Sequence, residues 1–287
     1  MASSWEESGD GAVEDGRYSW AMQVYNSACD LNSPTACMKA GDLLRDQLFV
    51  DDIGLYMNYA GFFGKGCELG LTESCKRIRA VVAMWEDRCG DGEPEMCVAL
   101  GLGHMQGYGS GVKDPIAARP AFDFACSKDN AEGCYFLGEL LFKGIEEGTP
   151  DHPRAELYLS KACNLEYGPG CSLLGSMYEN RLVDPPSQNA AAELYSTACI
   201  YDDFKTCHSM GDLTAQLSDE NDTGFMAIFF YERGCGGGLL ESCRALAYAL
   251  FEGTLGEQDI ARAKAIAAPL CDKGEAQLCK DLGILEQ

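Results

Sequence analysis

Residues 155–178 read AELYLSKACNLEYGPGCSLLGSMY. Ala155, Tyr158, Leu159 and Ala162 stand eight, five, four and one residues before Cys163, offsets that share one helical face. Leu174 and Gly175 stand three and four residues after Cys171. Between the cysteines lie Gly168, Pro169 and Gly170, residues that stop helices and make turns. If Cys163 and Cys171 sat on one helix, eight steps of about 1.5 Å would put them about 12 Å apart. A disulfide needs Cα atoms closer than about 7 Å. Either the two never bond, or the chain reverses between them. The turn residues favour reversal, so the stretch reads as helix A, turn, helix B.

The same C-x7-C spacing occurs eight times and uses every cysteine: Cys29/Cys37, Cys67/Cys75, Cys89/Cys97, Cys126/Cys134, Cys163/Cys171, Cys199/Cys207, Cys235/Cys243 and Cys271/Cys279. First cysteines recur after 38, 22, 37, 37, 36, 36 and 36 residues. A period near 36 marks an array of small supersecondary units, each of which must stack on its neighbours to bury its apolar face. The flanks repeat as well. Ala21, Ala118, Ala155, Ala191, Ala227 and Ala263 hold the position eight residues before the first cysteine. Gly41, Gly101, Gly138, Gly175, Gly211 and Gly283 hold the position four after the second, with Ala247 in the seventh unit. Glycine inside a helix costs about 1 kcal/mol against alanine. Its recurrence at one register predicts that two helices approach too closely there for a side chain. Gly70, Gly92, Gly133, Gly236–Gly238 and Gly274 are the other expected turn residues, Asn32-Ser33-Pro34 serve the first unit, and residues 200–206 are the weakest turn, with neither Gly nor Pro.

These residues resemble Sel1-like repeats, relatives of the tetratricopeptide repeat. The pattern A-x2-L-Y-x2-A-C-x7-C-x2-L-G-x-x-Y is almost complete in 155–178, and Gly107 to Asp114 is similar to the family's G-x-G-V-x-x-D loop. Paired cysteines narrow the resemblance to the cysteine-rich branch, as in the Helicobacter cysteine-rich proteins. Mitochondrial Sel1-repeat factors of cytochrome oxidase assembly are a looser likeness. The resemblance covers about residues 16–285 and implies an all-α, right-handed αα-hairpin solenoid with one disulfide per repeat, in about fifteen helices. Residues 1–15 are expected as an acidic N-terminal tail, and 16–287 as the repeat solenoid.

The second step is irregular. Only thirteen residues, 76–88, separate Cys75 from Cys89. They contain neither Gly nor Pro, so one helix is expected to serve as helix B of the second unit and helix A of the third, with Arg79 in place of the packing glycine. The two cysteines would then lie at opposite ends of it, about 21 Å apart. The first two bridges would fall on one edge and the six later ones on the other, splitting any concave groove near 76–88. Lys76, Arg77, Arg79 and Arg88 make this the chain's basic spot.

The chain has 287 residues, 46% hydrophobic, and a net charge of −23. That charge argues against nucleic acid and anionic membranes, since there is no basic surplus to neutralise phosphates. No apolar stretch is long enough to span a bilayer. Sixteen buried thiols acting as small hydrophobes would not produce eight identical spacings, so the pairs argue for an oxidising compartment. A periplasmic or extracellular site is expected, with the mitochondrial intermembrane space or cytoplasm as alternatives, because residues 1–16 show no signal-peptide h-region.

The cysteine-rich branch carries a β-lactamase or penicillin-binding label. That chemistry needs Ser-x-x-Lys at a helix start with Ser-Asp-Asn and Lys-Thr-Gly partners. Ser110–Lys113 is the one Ser-x-x-Lys, and it lies in the connecting loop; the other two motifs are absent. His104, His152 and His208 form no metal signature, although His208 follows Cys207. No catalytic residue, cofactor or metal is expected. The preferred reading is a monomeric scaffold binding a protein or peptide, to which Tyr25, Trp85, Tyr195 and Tyr231 would contribute if they were not core. The alternatives are a β-lactamase-like hydrolase and a redox or haem-handling assembly factor.

Overall fold

The structure, a computed structural model, describes residues 2–47, 53–144, 148–183, 188–217, 224–271 and 273–284. The described residues form sixteen α-helices and no strand. They fall into two compact units, Met1–Asp151 and His152–Gln287. The first holds α1 (Ala2–Glu14), α2 (Tyr18–Asp30), α3 (Pro34–Gln47), α4 (Ile53–Glu68), α5 (Thr72–Gly90), α6 (Pro94–Gln106), α7 (Pro115–Ser127) and α8 (Ala131–Lys143). The second holds α9 (His152–Asn164), α10 (Gly168–Glu179), α11 (Gln188–Ile200), α12 (Phe204–Leu217), α13 (Phe225–Gly236), α14 (Leu240–Glu252), α15 (Ile260–Cys271) and α16 (Ala276–Asp281).

Every C-x7-C segment is a helical hairpin with its own two cysteines joined. The bridges are Cys29–Cys37, Cys67–Cys75, Cys89–Cys97, Cys126–Cys134, Cys163–Cys171, Cys199–Cys207, Cys235–Cys243 and Cys271–Cys279, with S–S distances of 1.98–2.11 Å. Seven hairpins bring the Cα atoms to 4.4–4.7 Å. The eighth, Cys271–Cys279, stands at 5.9 Å. The residues just before the two cysteines face each other across the hairpin. Small pairs such as Ala125 with Gly133 and Ala162 with Gly170 permit the close approach. At the eighth hairpin the corresponding residues are Leu270 and Leu278, both buried.

The reversal has one mechanism throughout. The third residue after each first cysteine has positive φ: Asn32, Gly70, Gly92, Asp129, Glu166, Asp202, Gly238 and Gly274. Its N–H bonds to the carbonyl of that cysteine, and the next N–H reaches the carbonyl of the residue before the cysteine. This is the Schellman ending of a helix, repeated eight times. The turn at 200–206 is therefore like the rest, with Asp202 at φ 62° in the glycine position. Gly133, Gly168 and Gly170, expected in turns, lie instead in the first turn of a B helix. Glu166, at φ 64°, is the least suited of the eight, being neither Gly, Asn nor Asp. Glu166→Gly is expected to stabilise the protein by about 0.5–1 kcal/mol, the relief of the Cβ clash less the greater chain entropy of glycine. Urea denaturation measures it; an unchanged or lower midpoint means the turn carries no such strain.

Helix α5 runs unbroken through residues 76–88. In the first unit, the Cys29–Cys37 and Cys67–Cys75 turns are neighbours, joined by Lys65–Asp30 at 3.1 Å. At the far end of α5, Arg88 donates to the Tyr56 hydroxyl near the start of α4, and Asn130 of the 126–134 turn reaches Glu95 of the 89–97 turn at 3.5 Å. Two bridges thus lie at one end of α5 and two at the other. In the second unit all four bridges share an edge. Ser172 bonds Thr206, Arg233 donates to the carbonyls of Cys199 and Ile200, and Arg244 pairs with Glu275.

The segment expected as an acidic tail is helix α1, the sixteenth helix. It has the register of a B helix without its cysteine. Gly9-Asp10 matches Gly41-Asp42 and Gly211-Asp212, and Trp5 stands where a cysteine would. Tyr25 packs its ring on Gly9 and donates to Asp10, while Lys39 pairs with Asp10 at 2.6 Å. Burial raises the Asp10 carboxyl, but the hydrogen bonds from Lys39 and Tyr25 and the lysine charge bring it below the ordinary value.

Candidate functional site

At Gly41, Gly101, Gly175 and Gly211 the recurrent glycine is a socket; Gly283, expected to be another, lies beyond the end of α16 at φ 63° with no side chain closer than 3.9 Å. A Cβ on Gly41 would lie 2.6 Å from the Phe63 ring, one on Gly175 2.9 Å from Tyr195, and one on Gly211 2.5 Å from Tyr231; Gly101 is closed in the same way by Phe122. Each ring comes from four residues before the first cysteine of the next hairpin. Two locks therefore alternate at these junctions, each inside one compact unit: a disulfide ties helix A to helix B, and a ring in a glycine socket ties helix B to the following helix A. At the last junction glycine is replaced by Ala247 and the ring by Ala267, both fully buried, so the pair shrinks together. In α5, where Arg79 replaces the glycine, Trp85 turns to Gly103 instead.

These locks use up the aromatic residues expected at a binding face. Trp85 is 0% exposed, Tyr25 3% and Tyr231 5%. Tyr195 packs on Gly175 and donates to Glu179 at 2.6 Å. The basic spot is largely paired within the chain: Lys76 with Glu73, Arg77 with Asp42, and Arg88 with Glu93 and Tyr56.

The cysteines are structural rather than chemical. Cys97, Cys134 and Cys243 are buried at the start of their B helices and bonded to Cys89, Cys126 and Cys235. Each of the three sulfurs also lies against the carbonyl oxygen of its own partner cysteine, at 3.7, 3.7 and 3.5 Å. Cys37 and Cys207 repeat the contact on Cys29 and Cys199. Among the described residues no cysteine is a free thiol, so none is offered as a nucleophile or metal ligand.

The residues singled out for chemistry do not converge. Ser110 accepts from the Val112 N–H and donates to the Val112 carbonyl, so its hydroxyl closes the turn. Positive φ at Gly107, Gly109 and Gly111 shapes that turn, and Asp114 ends it by capping α7 at Ala117. Ser110 and Lys113 are exposed in this loop and begin no helix. His208 sits 3.7 Å from Asp212, beside the Tyr231 ring. Among the described residues no group of three or more His, Cys, Asp or Glu is placed to hold a metal ion.

The second unit has a shallow, open concavity. A cleft of about 400 Å³ opens between α12, α13 and α14 and the turn after α14. Its floor is made by buried Tyr231, Ala249 and Leu255. Its rim carries Asp212, Gln216, Glu252 and Thr254. Three- and four-residue spacing brings Asp212 and Gln216 to one face of α12, and Ala245, Tyr248, Ala249 and Glu252 to one face of α14. Gly253, at φ 71°, ends α14, and Leu255 packs back over Gly224. The two tyrosines are fixed through their hydroxyls, Tyr231 to Asp212 and Tyr248 to Asp281, each at 2.7 Å. Burial and the Asp212 bond push the Tyr231 phenol well above its ordinary pKa. The Asp281 bond, with burial, raises Tyr248. Both phenols remain neutral donors. Sequence reasoning reached Tyr231 alone, because Tyr248 and Glu252 are not part of the repeated pattern and Asp212, which recurs after a socket glycine as Asp10 and Asp42 do, is marked only by its glycine.

The Sel1 repeat family model matches residues 94–119, 131–167, 168–200 and 240–274. Each match begins at a B helix and runs into the next A helix. The fold is similar to the crystal structure of c5321, a protective antigen of uropathogenic Escherichia coli strains displaying an SLR fold, with TM-score 0.55 and 15% identity over 99% of this chain. The chain covers 64% of that protein's length. It is also similar to a Sel1 repeat protein from Oxalobacter formigenes, with TM-score 0.53 and 17% identity over 93% of this chain and 98% of that one. No curated protein matches the chain.

Proposed function

We propose, from the premise that this chain is a Sel1-repeat protein with a disulfide in every repeat, that it is a rigid scaffold that binds a protein or peptide partner. One observation carries the reading. Every hairpin is closed by a bridge, and most junctions by a ring in a socket, which fixes helix spacing and preorganises a surface. The chain's nucleophile and bases are spread over separate loops and helices. The scaffold is residues 16–287, counted as eight units with α5 shared at 76–88 and with α1 packed in front as an additional B helix, and it works as a monomer. Eight bonded pairs point to an oxidising compartment; within that class, a periplasmic or extracellular site fits best.

The test is capture with the immobilised, oxidised chain, followed by titration of the purified partner. Saturable binding near one to one, lost when the bridges are reduced and the fold opens, supports the scaffold. Turnover of a β-lactam such as nitrocefin that Ser110→Ala abolishes would replace it with the hydrolase.

A further inference from the structure

Resting on the scaffold reading, we infer that the cleft between α12, α13 and α14 is a subsite for an arginine or lysine side chain carried by a basic segment of the partner. The two rim carboxylates, Asp212 and Glu252, face the same cleft, and none of its ten lining residues is basic. The cations nearest along the chain are engaged elsewhere: Arg244 with Glu275, Arg262 with Glu232 and Arg233 with Asp202. The cleft therefore carries uncompensated negative charge inside a chain of net charge −23. Phosphates and acidic peptides are repelled, and cationic ones are drawn in.

The walls match a cation on a long apolar stem. Ala215, Ala245 and Ala249 leave room and offer only methyl groups, so they suit methylenes. The ring of Tyr248, held by Asp281, presents aromatic surface on which a guanidinium or ammonium group gains further attraction, while buried Tyr231 only closes the floor. The more exposed carboxylates at the rim then meet the charged head while the stem fills the floor, the way such side chains divide between apolar surface and water. Asp212 accepts from Tyr231 through Oδ1. Its Oδ2 has the His208 imidazole at 3.7 Å, an ion pair only when that ring is protonated. About 400 Å³ exceeds the needs of one such side chain and admits part of its neighbours, which fits a peptide better than a free amino acid.

The probe is a fluorescent peptide alternating arginine with serine, titrated into the full oxidised chain. A matched peptide with citrulline for arginine has the same shape without charge. Saturable binding of the arginine peptide and at least tenfold weaker binding of the citrulline one are expected. Asp212→Asn with Glu252→Gln should weaken the arginine peptide about tenfold; the asparagine still accepts from Tyr231, so the α12–α13 junction stays closed. Glu241→Gln, an exposed carboxylate outside the cleft lining, should change little. Glu252→Lys alone should abolish binding with an unchanged circular dichroism spectrum. The subsite is overturned if citrulline binds equally, if Glu241→Gln weakens binding as much as the double variant, or if nothing saturates. A captured partner that binds the double variant undiminished also overturns it while leaving the scaffold standing; a chain that retains no partner at all removes the scaffold itself.

Discussion

Reduction of the eight bridges is expected to lower the melting temperature by tens of degrees. Each bridge closes a loop of about nine residues, which the chain-entropy account values at about 2.5 kcal/mol, though engineered bridges often deliver less. Eight such contributions exceed the about 5–15 kcal/mol net stability of an ordinary domain. If only a quarter is realised, about 5 kcal/mol is lost, and at about 2–4 °C per kcal/mol the midpoint falls by about 10–20 °C. Sterics add to this. Most of the sulfurs are buried, and seven hairpins hold their cysteine Cα atoms at 4.4–4.7 Å, so two unbonded thiols would press against each other. Thermal circular dichroism with and without a phosphine reductant measures the difference. Equal midpoints would show that the hairpins stand without their bridges.

Gly101→Ala is expected to change sign with its partner. In the native background the new Cβ falls within the Phe122 ring, and overpacking of this kind costs about 1–3 kcal/mol. Phe122→Ala alone empties a fully buried site and costs about 3–5 kcal/mol. Once the ring is gone, Gly101→Ala fills space and gains helix propensity, so it should stabilise by about 1 kcal/mol. The double-mutant cycle then gives a coupling of about 2–4 kcal/mol. The native Ala247–Ala267 junction is already this pair. Additive effects in urea denaturation would mean that socket and ring do not meet.

What could be read from the sequence is what each hairpin does alone. Eight C-x7-C spacings with turn residues between them favoured a reversal, and the glycine four residues after the second cysteine announced a close approach. The residue that fills the socket could not be read that way. Phe63, Phe122, Tyr195 and Tyr231 look like ordinary core positions within their own helices, and their role exists only against the preceding hairpin. The positive-φ position was legible where glycine or Asn32 marks it; Asp129, Glu166 and Asp202 adopt the same backbone without advertising it. Helix α1 escaped because Trp5 broke the cysteine pattern that identified every other hairpin. The cleft escaped because function departs from the repeat: Asp212 follows a socket glycine as Asp10 and Asp42 do, yet only in the second unit does Glu252 stand opposite.

Each bridge joins residues eight apart, across a Schellman turn that needs no contact from elsewhere. During synthesis or export, a hairpin can therefore be oxidised as soon as its own second cysteine emerges, before the next pair is available. The sixteen thiols are presented to an oxidase two at a time rather than as one pool. The order of emergence selects the native partner, and a disulfide isomerase has no crossed linkage to repair.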